Sequence, residues 1–298
     1  MDFRLKVFLT VANRLSFTKA AGELFITQPA VSKHIHELEE EYKIKLFERS
    51  GSKIAVTAAG KLLLQHTKKI FEIYRDIDFD MSALIHEQRG LLRVGASTTL
   101  SQYIIPPVLA RFHQKLKDVK VTLRNGNTEQ IEKALLAQEI EVGIVEGQLK
   151  NKGIKYTPFL KDELVLVCKA NHALLDKKEI TKSDLLQMQF LMREQGSGTL
   201  EVIEYGLKPF AITLDQLQIE MQLGSTESIK SYLLNSNCVA FVSIHAINKE
   251  LVNNELAILD IKNVTINRNF YIITLQGKSV ALSDLFIRNI LDHYNFRL

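Results

Sequence analysis

Three short hydroxyl-rich stretches each follow an apolar, strand-like run and open a helix-like pattern: Ser97-Thr98-Thr99, Gly196-Ser197-Gly198-Thr199 and Gly224-Ser225-Thr226. Helix N-termini carry unpaired N–H groups and a partial positive charge, so hydroxyls placed there suit a small anion or carboxylate. Ser and Thr are also the ordinary N-caps, and each stretch taken alone has that simpler reading. Arg193 and Glu194 precede the second stretch. If both lie in a strand they point to opposite sides, and only one of them can face a ligand.

A second group of residues suits a different chemistry. Thr27-Gln28-Pro29-Ala30 starts a helical pattern on which Val31, Ile35 and Leu38 form the inward face, leaving Pro29, Ser32, Lys33 and His36 to point away. Gln28 offers a donor–acceptor pair that matches an adenine edge, Pro29 and Ala30 can meet a thymine methyl, and Lys33 can donate to guanine or phosphate. Ser16 and Thr18, near another helix start, suit either phosphate contact or simple N-capping.

Catalytic signatures fail one by one. Gly277-Lys278-Ser279 lacks the first glycine of a phosphate-binding loop, because position 272 is Ile. Gly196-x-Gly198 has Glu201 where a dinucleotide fingerprint needs its third glycine. No nucleophile elbow surrounds Ser197. His34 and His36 lie two apart and splay by about 200° on a helix, which prevents shared metal ligation. Cys168 and Cys238 are far apart in apolar runs and read as buried thiols. The sequence calls for no enzyme activity, cofactor or metal.

These residues must be positioned by a chain of 298 residues, 46% hydrophobic and 24% charged, which suits two or three globular domains and excludes disorder as the main state. The longest uncharged apolar run, Leu164–Cys168, is far short of a bilayer span. Asp2, Arg4 and Lys6 interrupt the N-terminal pattern, unlike a signal peptide, so a soluble cytoplasmic protein with reduced thiols and no membrane partner is expected. Net charge is +4, which permits nucleic-acid binding without arguing for it.

Helical spacing covers residues 2–14, a short second helix from an expected Thr18 cap to Phe25, and a third from the Thr27 cap to about Tyr42. Two helices across so short a turn make a helix-turn-helix candidate, against a plain three-helix bundle. Lys45–Arg49 and Lys53–Val56 flank a Gly-Ser turn and read as a hairpin, a wing that brings Arg49 and Lys53 within reach of phosphates. Thr57 then caps a long helix expected to reach Gln88. Its heptad seam sets Leu63, Ile70, Ile77 and Leu84 against Thr67, Tyr74 and Met81, which implies pairing with a second copy. From Arg89-Gly90 onward strands and helices alternate, and this βαβ rhythm predicts an α/β domain with a mostly parallel sheet, split into two lobes around a cleft.

The ordered set Ala20-Ala21-x-x-Leu24-x-x-Thr27-Gln28-Pro29-Ala30-Val31-Ser32-x-x-Ile35-x-x-Leu38-Glu39, Leu46-Phe47-x-Arg49 and Thr57-x-Ala59-Gly60 resembles the winged helix-turn-helix of LysR-type transcriptional regulators. Ile105-Pro106-x-x-Leu109-x-x-Phe112, Gly126-Asn127, Glu141–Ile144 and Arg193-Glu194-x-Gly196-Ser197-Gly198-Thr199 are similar to the family's effector-binding domain. One departure is Tyr42-Lys43, where the family commonly has Leu-Gly; Lys43 costs about 1 kcal/mol if it must take the positive φ that glycine adopts freely.

The resemblance implies a multidomain fold: an α-rich winged helix-turn-helix over 1–57, a linker and dimerisation helix over 58–89, and a two-lobed α/β effector-binding domain of periplasmic-binding-protein type over 90–298. Lobe I would hold about 90–161 and 267–298, and lobe II about 162–266. It implies DNA contacts from Ser16, Thr18, Gln28, Pro29, Ser32 and Lys33, with Arg49 and Lys53 on the wing. It places Ser97, Thr98, Thr99, Glu146, Ser197, Thr199, Ser225 and Thr226 around a small, anionic effector; Glu146 there calls for a cation or donor beside it. Pairing would run through Leu63, Ile70, Tyr74, Ile77, Met81 and Leu84. Implied partners are double-stranded operator DNA of dyad symmetry, RNA polymerase, and further copies of the chain as a homodimer or homotetramer. The Gly-Ser-Gly-Thr loop resembles the branch of the family that answers sulfur- or carbon-assimilation signals. The competing expectation is an α/β enzyme or small-molecule-binding protein carrying a helical N-terminal extension.

Overall fold

The computed structural model describes residues 2–50, 53–84, 90–148, 151–277 and 281–295. The chain divides into two compact units, Met1–Ile85 and His86–Leu298.

The smaller unit starts with α1 (Phe3–Arg14), α2 (Phe17–Leu24) and α3 (Gln28–Tyr42). Their apolar faces meet in one core built around Phe8, Val11, Ala20, Val31, Ile35, Leu38 and Leu46. Ser16, and not the expected Thr18, caps α2, accepting a hydrogen bond from the Lys19 N–H at 3.2 Å. Two candidate caps stood two residues apart, and the one closest to the break took the position. Thr27 caps α3 as expected, accepting from Ala30 N. The three helices end on residues with positive φ: Leu15, Phe25 and Lys43. The residue standing in place of glycine therefore does adopt the left-handed conformation, at φ 52°.

The hairpin consists of β1 (Phe47–Ser50) and β2 (Lys53–Val56), paired antiparallel, with its tip residues 51 and 52 outside the described residues. Its root is fixed by the buried Glu39, whose Oε1 accepts from Leu46 N at 2.9 Å while Lys45 Nζ donates to Oε2 at 2.6 Å. Thr57 Oγ1 donates to Lys45 O at 2.7 Å and accepts from Gly60 N, capping α4 (Ala58–Leu84). The continuation of this helix to Gln88 falls outside the described residues. A Cβ at Gly60 would stand 2.2 Å from the Leu46 carbonyl oxygen, so only glycine lets α4 start this close to the wing.

The larger unit is a two-lobed α/β structure on one mixed sheet. Lobe I contains β3 (Gly90–Ser97), α5 (Ile105–Lys115), β4 (Val119–Gly126), α6 (Thr128–Leu136) and β5 (Val142–Glu146). The long β6 (Ile154–Lys169) then carries the chain into lobe II, formed by the short α7 (Lys182–Leu185), β7 (Gln189–Arg193), α8 (Gly198–Leu207), β8 (Gln218–Leu223), α9 (Thr226–Leu234), β9 (Val239–Ser243), α10 (Asn248–Val252) and β10 (Leu256–Leu259). β11 (Ile266–Leu275) returns to lobe I, which α11 (Ala281–Asn295) completes.

Strand order is β4-β3-β5-β11-β6-β9-β7-β8, with β10 beside β6. Pairing is parallel for β3 with β4 and β5 and for β7 with β8 and β9. It is antiparallel for β11 with β5 and β6, and for β6 with β9 and β10. The expectation of a mostly parallel sheet is thus corrected, because the two strands that pass between the lobes run against their neighbours. Their mutual register breaks between Phe270 and Tyr271, which face Leu160 and Pro158, so Phe159 is the extra residue of a bulge. Between β3 and α5, Leu100–Ile104 form a π-helical turn.

Candidate functional site

In the larger unit, loops at the carboxyl ends of β3, β4 and β5 meet loops after β7 and β8, the place where open α/β sheets form a ligand crevice. Two buried polar networks cross from one lobe to the other.

The first centres on Glu146 at the end of β5, with only 2% of its surface exposed. Ser97 Oγ donates to its carboxylate, and Thr199 Oγ1 donates to Oε1 at 3.1 Å. Arg268 Nη1 donates to Thr199 Oγ1 at 2.8 Å and lies 3.7 Å from Glu146 Oε1. Arg268 Nε donates to Asp162 Oδ2 at 2.6 Å, and Ser243 Oγ donates to Asp162 Oδ1 at 2.7 Å. The cation that Glu146 required is Arg268, reaching it from β11. Thr128 Oγ1 adds a hydrogen bond to the Glu146 carbonyl at 2.8 Å.

The second network centres on Arg193. Its Nη2 donates to Thr98 Oγ1 and to Gly224 O, both at 3.4 Å, while Nε donates to Glu194 Oε2 at 2.9 Å. β7 ends at Arg193, so Glu194 lies beyond the strand and alternation does not separate the pair. Both face the cleft: Arg193 meets Thr98 from lobe I, and Glu194 is hydrogen-bonded by Asn127 of the same lobe. Burial opposes the charge on Glu194, but the hydrogen bond and charge of Arg193 outweigh it and hold the carboxyl below its usual range. Arg193 Nη1 and Ser197 Oγ are buried with no hydrogen-bond partner among the described residues.

Of the other predicted residues, Thr99 Oγ1 lies 3.4 Å from Thr226 Oγ1, and Ser225 Oγ accepts from Gln102 Nε2 at 3.4 Å. Ser197 and Ser225 do occupy the N-cap positions of α8 and α9, yet neither side chain makes a capping hydrogen bond. Ser16 and Thr27, by contrast, do cap their helices through their hydroxyls. Sequence reasoning missed Asp162, Arg268 and Ser243, since isolated charged or polar residues in strands carry no periodic signal. It also missed Tyr103, which donates to the Glu227 carboxylate across the lobes while Lys230 Nζ stands 5.0 Å above its ring. Burial and that bond raise the Tyr103 hydroxyl well above its ordinary range.

In the smaller unit, Thr18, Pro29 and Lys33 are exposed, with Ser16, Gln28 and Ser32 half-buried beside them. Gln28 Nε2 donates to Ser32 Oγ at 2.8 Å, one turn along α3, and Lys33 Nζ lies 3.9 Å from Glu37. The side chains of Arg49 and Lys53 lie outside the described residues, although their backbones pair with Ile54 and Ser50 in the hairpin. On α4, Ile70, Ile77 and Met81 are exposed, as are Leu62 and Ile73, which are not among the seam residues. Tyr74 is half-buried, Leu63 packs on the core of the winged unit, Thr67 is fully buried, and the Leu84 side chain lies outside the described residues.

A winged helix-turn-helix joined to a two-lobed domain with a polar cleft is the build of a DNA-binding, effector-responsive transcriptional regulator. Residues 3–61 match the family described as bacterial regulatory helix-turn-helix protein, lysR family, and residues 86–295 match the LysR substrate binding domain. The chain belongs to the LysR family of transcriptional regulators. It is 30% identical over 300 residues to the HTH-type transcriptional regulator CysL of Bacillus subtilis, covering 99% of this chain and 98% of that one. It is 33% identical over 296 residues to a probable RuBisCO transcriptional regulator of Synechocystis, covering 98% and 86%. The Synechocystis CcmR regulatory domain, solved in complex with 2-PG, superposes with a TM-score of 0.63 at 29% identity, over 68% of this chain and 97% of that domain. Proteins of this kind are regulators and not enzymes, which sets aside the enzyme alternative.

Proposed function

We propose that this regulator responds to a small anionic effector held between lobe I, about residues 90–161 and 267–298, and lobe II, about residues 162–266. The observation that carries this reading is Arg193: a buried guanidinium with one edge on Glu194 and its Nη1 without a hydrogen-bond partner among the described residues, as is the buried Ser197 hydroxyl. An unpaired buried donor costs about 1–3 kcal/mol, more when charged, and a carboxylate or phosphate oxygen repays that cost. Ser97, Thr98, Thr99, Glu146, Thr199, Ser225 and Thr226 complete the surroundings. The likeness to a domain that binds 2-PG supports a small-molecule ligand, and the relatives named for RuBisCO support the carbon-assimilation side of the resemblance.

The winged unit reads operator DNA in the cytoplasm through Gln28, Pro29, Ser32 and Lys33, with Ser16, Thr18, Arg49 and Lys53 positioning it on phosphates. Dyad symmetry in the operator follows if two chains pair along α4 through Ile70, Tyr74, Ile77 and Met81, flanked by Leu63 and Leu84. A homodimer or homotetramer results, and the effector changes how it presents DNA to RNA polymerase by binding one arrangement of lobes better than another.

The test is titration of the full-length protein with 2-PG and with inorganic phosphate, alongside Arg193→Gln. Saturable binding of either anion, weakened about tenfold or more in the variant, is expected. Equal binding by the variant would remove Arg193 from the site, and no response to any small acid would overturn the anionic reading.

A further inference from the structure

We propose that Glu194 selects the effector by charge. It neutralises Arg193 in advance, so the group received at Arg193 is a singly charged carboxylate and not a doubly charged phosphate. The inference rests on the anionic-effector reading and names the class of anion. A guanidinium presents five N–H groups on three nitrogens. Glu194 covers one edge of Arg193, its Oε2 accepting from Nε at 2.9 Å and its Oε1 from Nη2 at 3.1 Å. Nη2 also donates to Thr98 Oγ1 and Gly224 O, both at 3.4 Å. What remains is Nη1, buried and without a hydrogen-bond partner among the described residues.

Glu194 is a fixed counter-ion and not a stand-in that an effector pushes aside. Asn127 of lobe I hydrogen-bonds its carboxylate from the side opposite in the fold to Arg193 of lobe II. Asn127 is itself held. Its Oδ1 accepts from Gln130 N at 3.0 Å in the capping box that starts α6, and its Nδ2 donates to Gln195 O at 3.2 Å. The neighbouring network adds no surplus of positive charge. Arg268 stands against two buried carboxylates, Glu146 and Asp162, so the two networks together hold two guanidinium groups and three carboxylates. Arg268 Nη2, buried and also without a partner among the described residues, thus offers a donor within a negative surrounding. A first negative charge on the effector is repaid by charge-assisted hydrogen bonds to the unpartnered donors. A second charge meets Glu194 across a single guanidinium, with no further cation in either network, and like charges repel strongly where water is excluded.

Calorimetric titration of the full-length protein with glycolate and with inorganic phosphate tests this, at constant ionic strength and about pH 8, where phosphate carries close to two charges. Wild type binds glycolate about tenfold more tightly than phosphate. Glu194→Gln keeps the shape of the side chain and removes its charge. With folding checked by circular dichroism, the variant gains about tenfold or more in phosphate affinity and less in glycolate affinity, so the preference shrinks or inverts. A Glu194 that merely positioned Arg193 would lower both affinities together. If the variant does not fold, the wild-type ratio decides alone. Phosphate bound by wild type as tightly as glycolate, no saturation by glycolate, or the same ratio in a folded variant each overturn the proposal. With 2-PG still bound, those results leave the anionic reading standing. Absence of binding by all three anions removes that reading and this inference with it.

Discussion

Gly198→Ala sets two physical effects against each other, and the structure decides between them. Gly198 opens α8, its φ lies outside the left-handed region, and alanine there would ordinarily stabilise by about 0.4–1 kcal/mol through the unfolded chain. The added Cβ, however, would stand 2.1 Å from the Glu146 carbonyl oxygen and 2.6 Å from Thr128 Oγ1, which donates to that carbonyl. Both obstacles belong to lobe I, one of them backbone, so the lobes must part by about an ångström or the hydrogen bond must break. Overpacking of this sort costs roughly 1–3 kcal/mol, which exceeds the gain. A net loss of about 1–2 kcal/mol lowers the melting temperature of a unit this size by roughly 2–8 °C. Scanning calorimetry of the full-length chain reads this directly. Gly22→Ala is the control: it lies inside α2 with nothing within 4 Å of the added carbon, and it should stabilise the smaller unit by about 0.4–1 kcal/mol. A Gly198→Ala protein as stable as wild type, or more so, would refute the claim that the lobes touch through this backbone.

Three further outcomes follow from local chemistry. Lys43→Gly relieves a left-handed lysine at the end of α3 and should raise the stability of the winged unit by about 1 kcal/mol, read as a shift in its urea midpoint. Burial opposes ionisation of Glu39, yet Lys45 and the Leu46 and Phe47 N–H groups prevail and hold it below its ordinary value near 4.5. Its contribution is therefore complete above that pH and fades as pH falls through the depressed native value, so wild type and Glu39→Gln should converge in melting temperature on acidification. Arg268→Met leaves Asp162 and Glu146 buried without their shared cation and should cost about 3–5 kcal/mol in thermal melts; a loss below about 1 kcal/mol would show that the hydroxyls alone satisfy both carboxylates.

The winged unit was legible because its signals are local: i, i+4, i+7 spacing on α3, the Thr27 cap and the Gly-Ser turn each sit within a few residues. The strands that join the lobes were not. Of β6, only the apolar run Leu164–Cys168 stands out in the sequence. The first half of the strand holds Lys155, Pro158 and Lys161 and looks like loop until β11 pairs with it. Asp162 and Arg268 were invisible for the same reason, since a charged residue in an ordinary-looking strand reads as surface until a partner 106 positions away buries it. The hydroxyl loops of the cleft were found by type, but their use was not. Ser197 and Ser225 fill cap positions without capping, and only coordinates separate the position from the bond. The Arg193 and Glu194 alternation failed on a single boundary, because the strand stops between them.

The joint between the lobes also fixes what kind of motion can leave this domain. A flexible tether would let two bodies slide apart, whereas β6 and β11 run through both lobes as one hydrogen-bonded ribbon. Such a ribbon resists extension and shear and yields to rotation about its own length, the direction in which strands already wind. The bulge at Phe159 interrupts the ladder and marks the compliant point along the ribbon. Within this domain, a change in how the lobes sit against each other is therefore expected to be a twist about two strands, with the broken rung at Phe159 as its pivot.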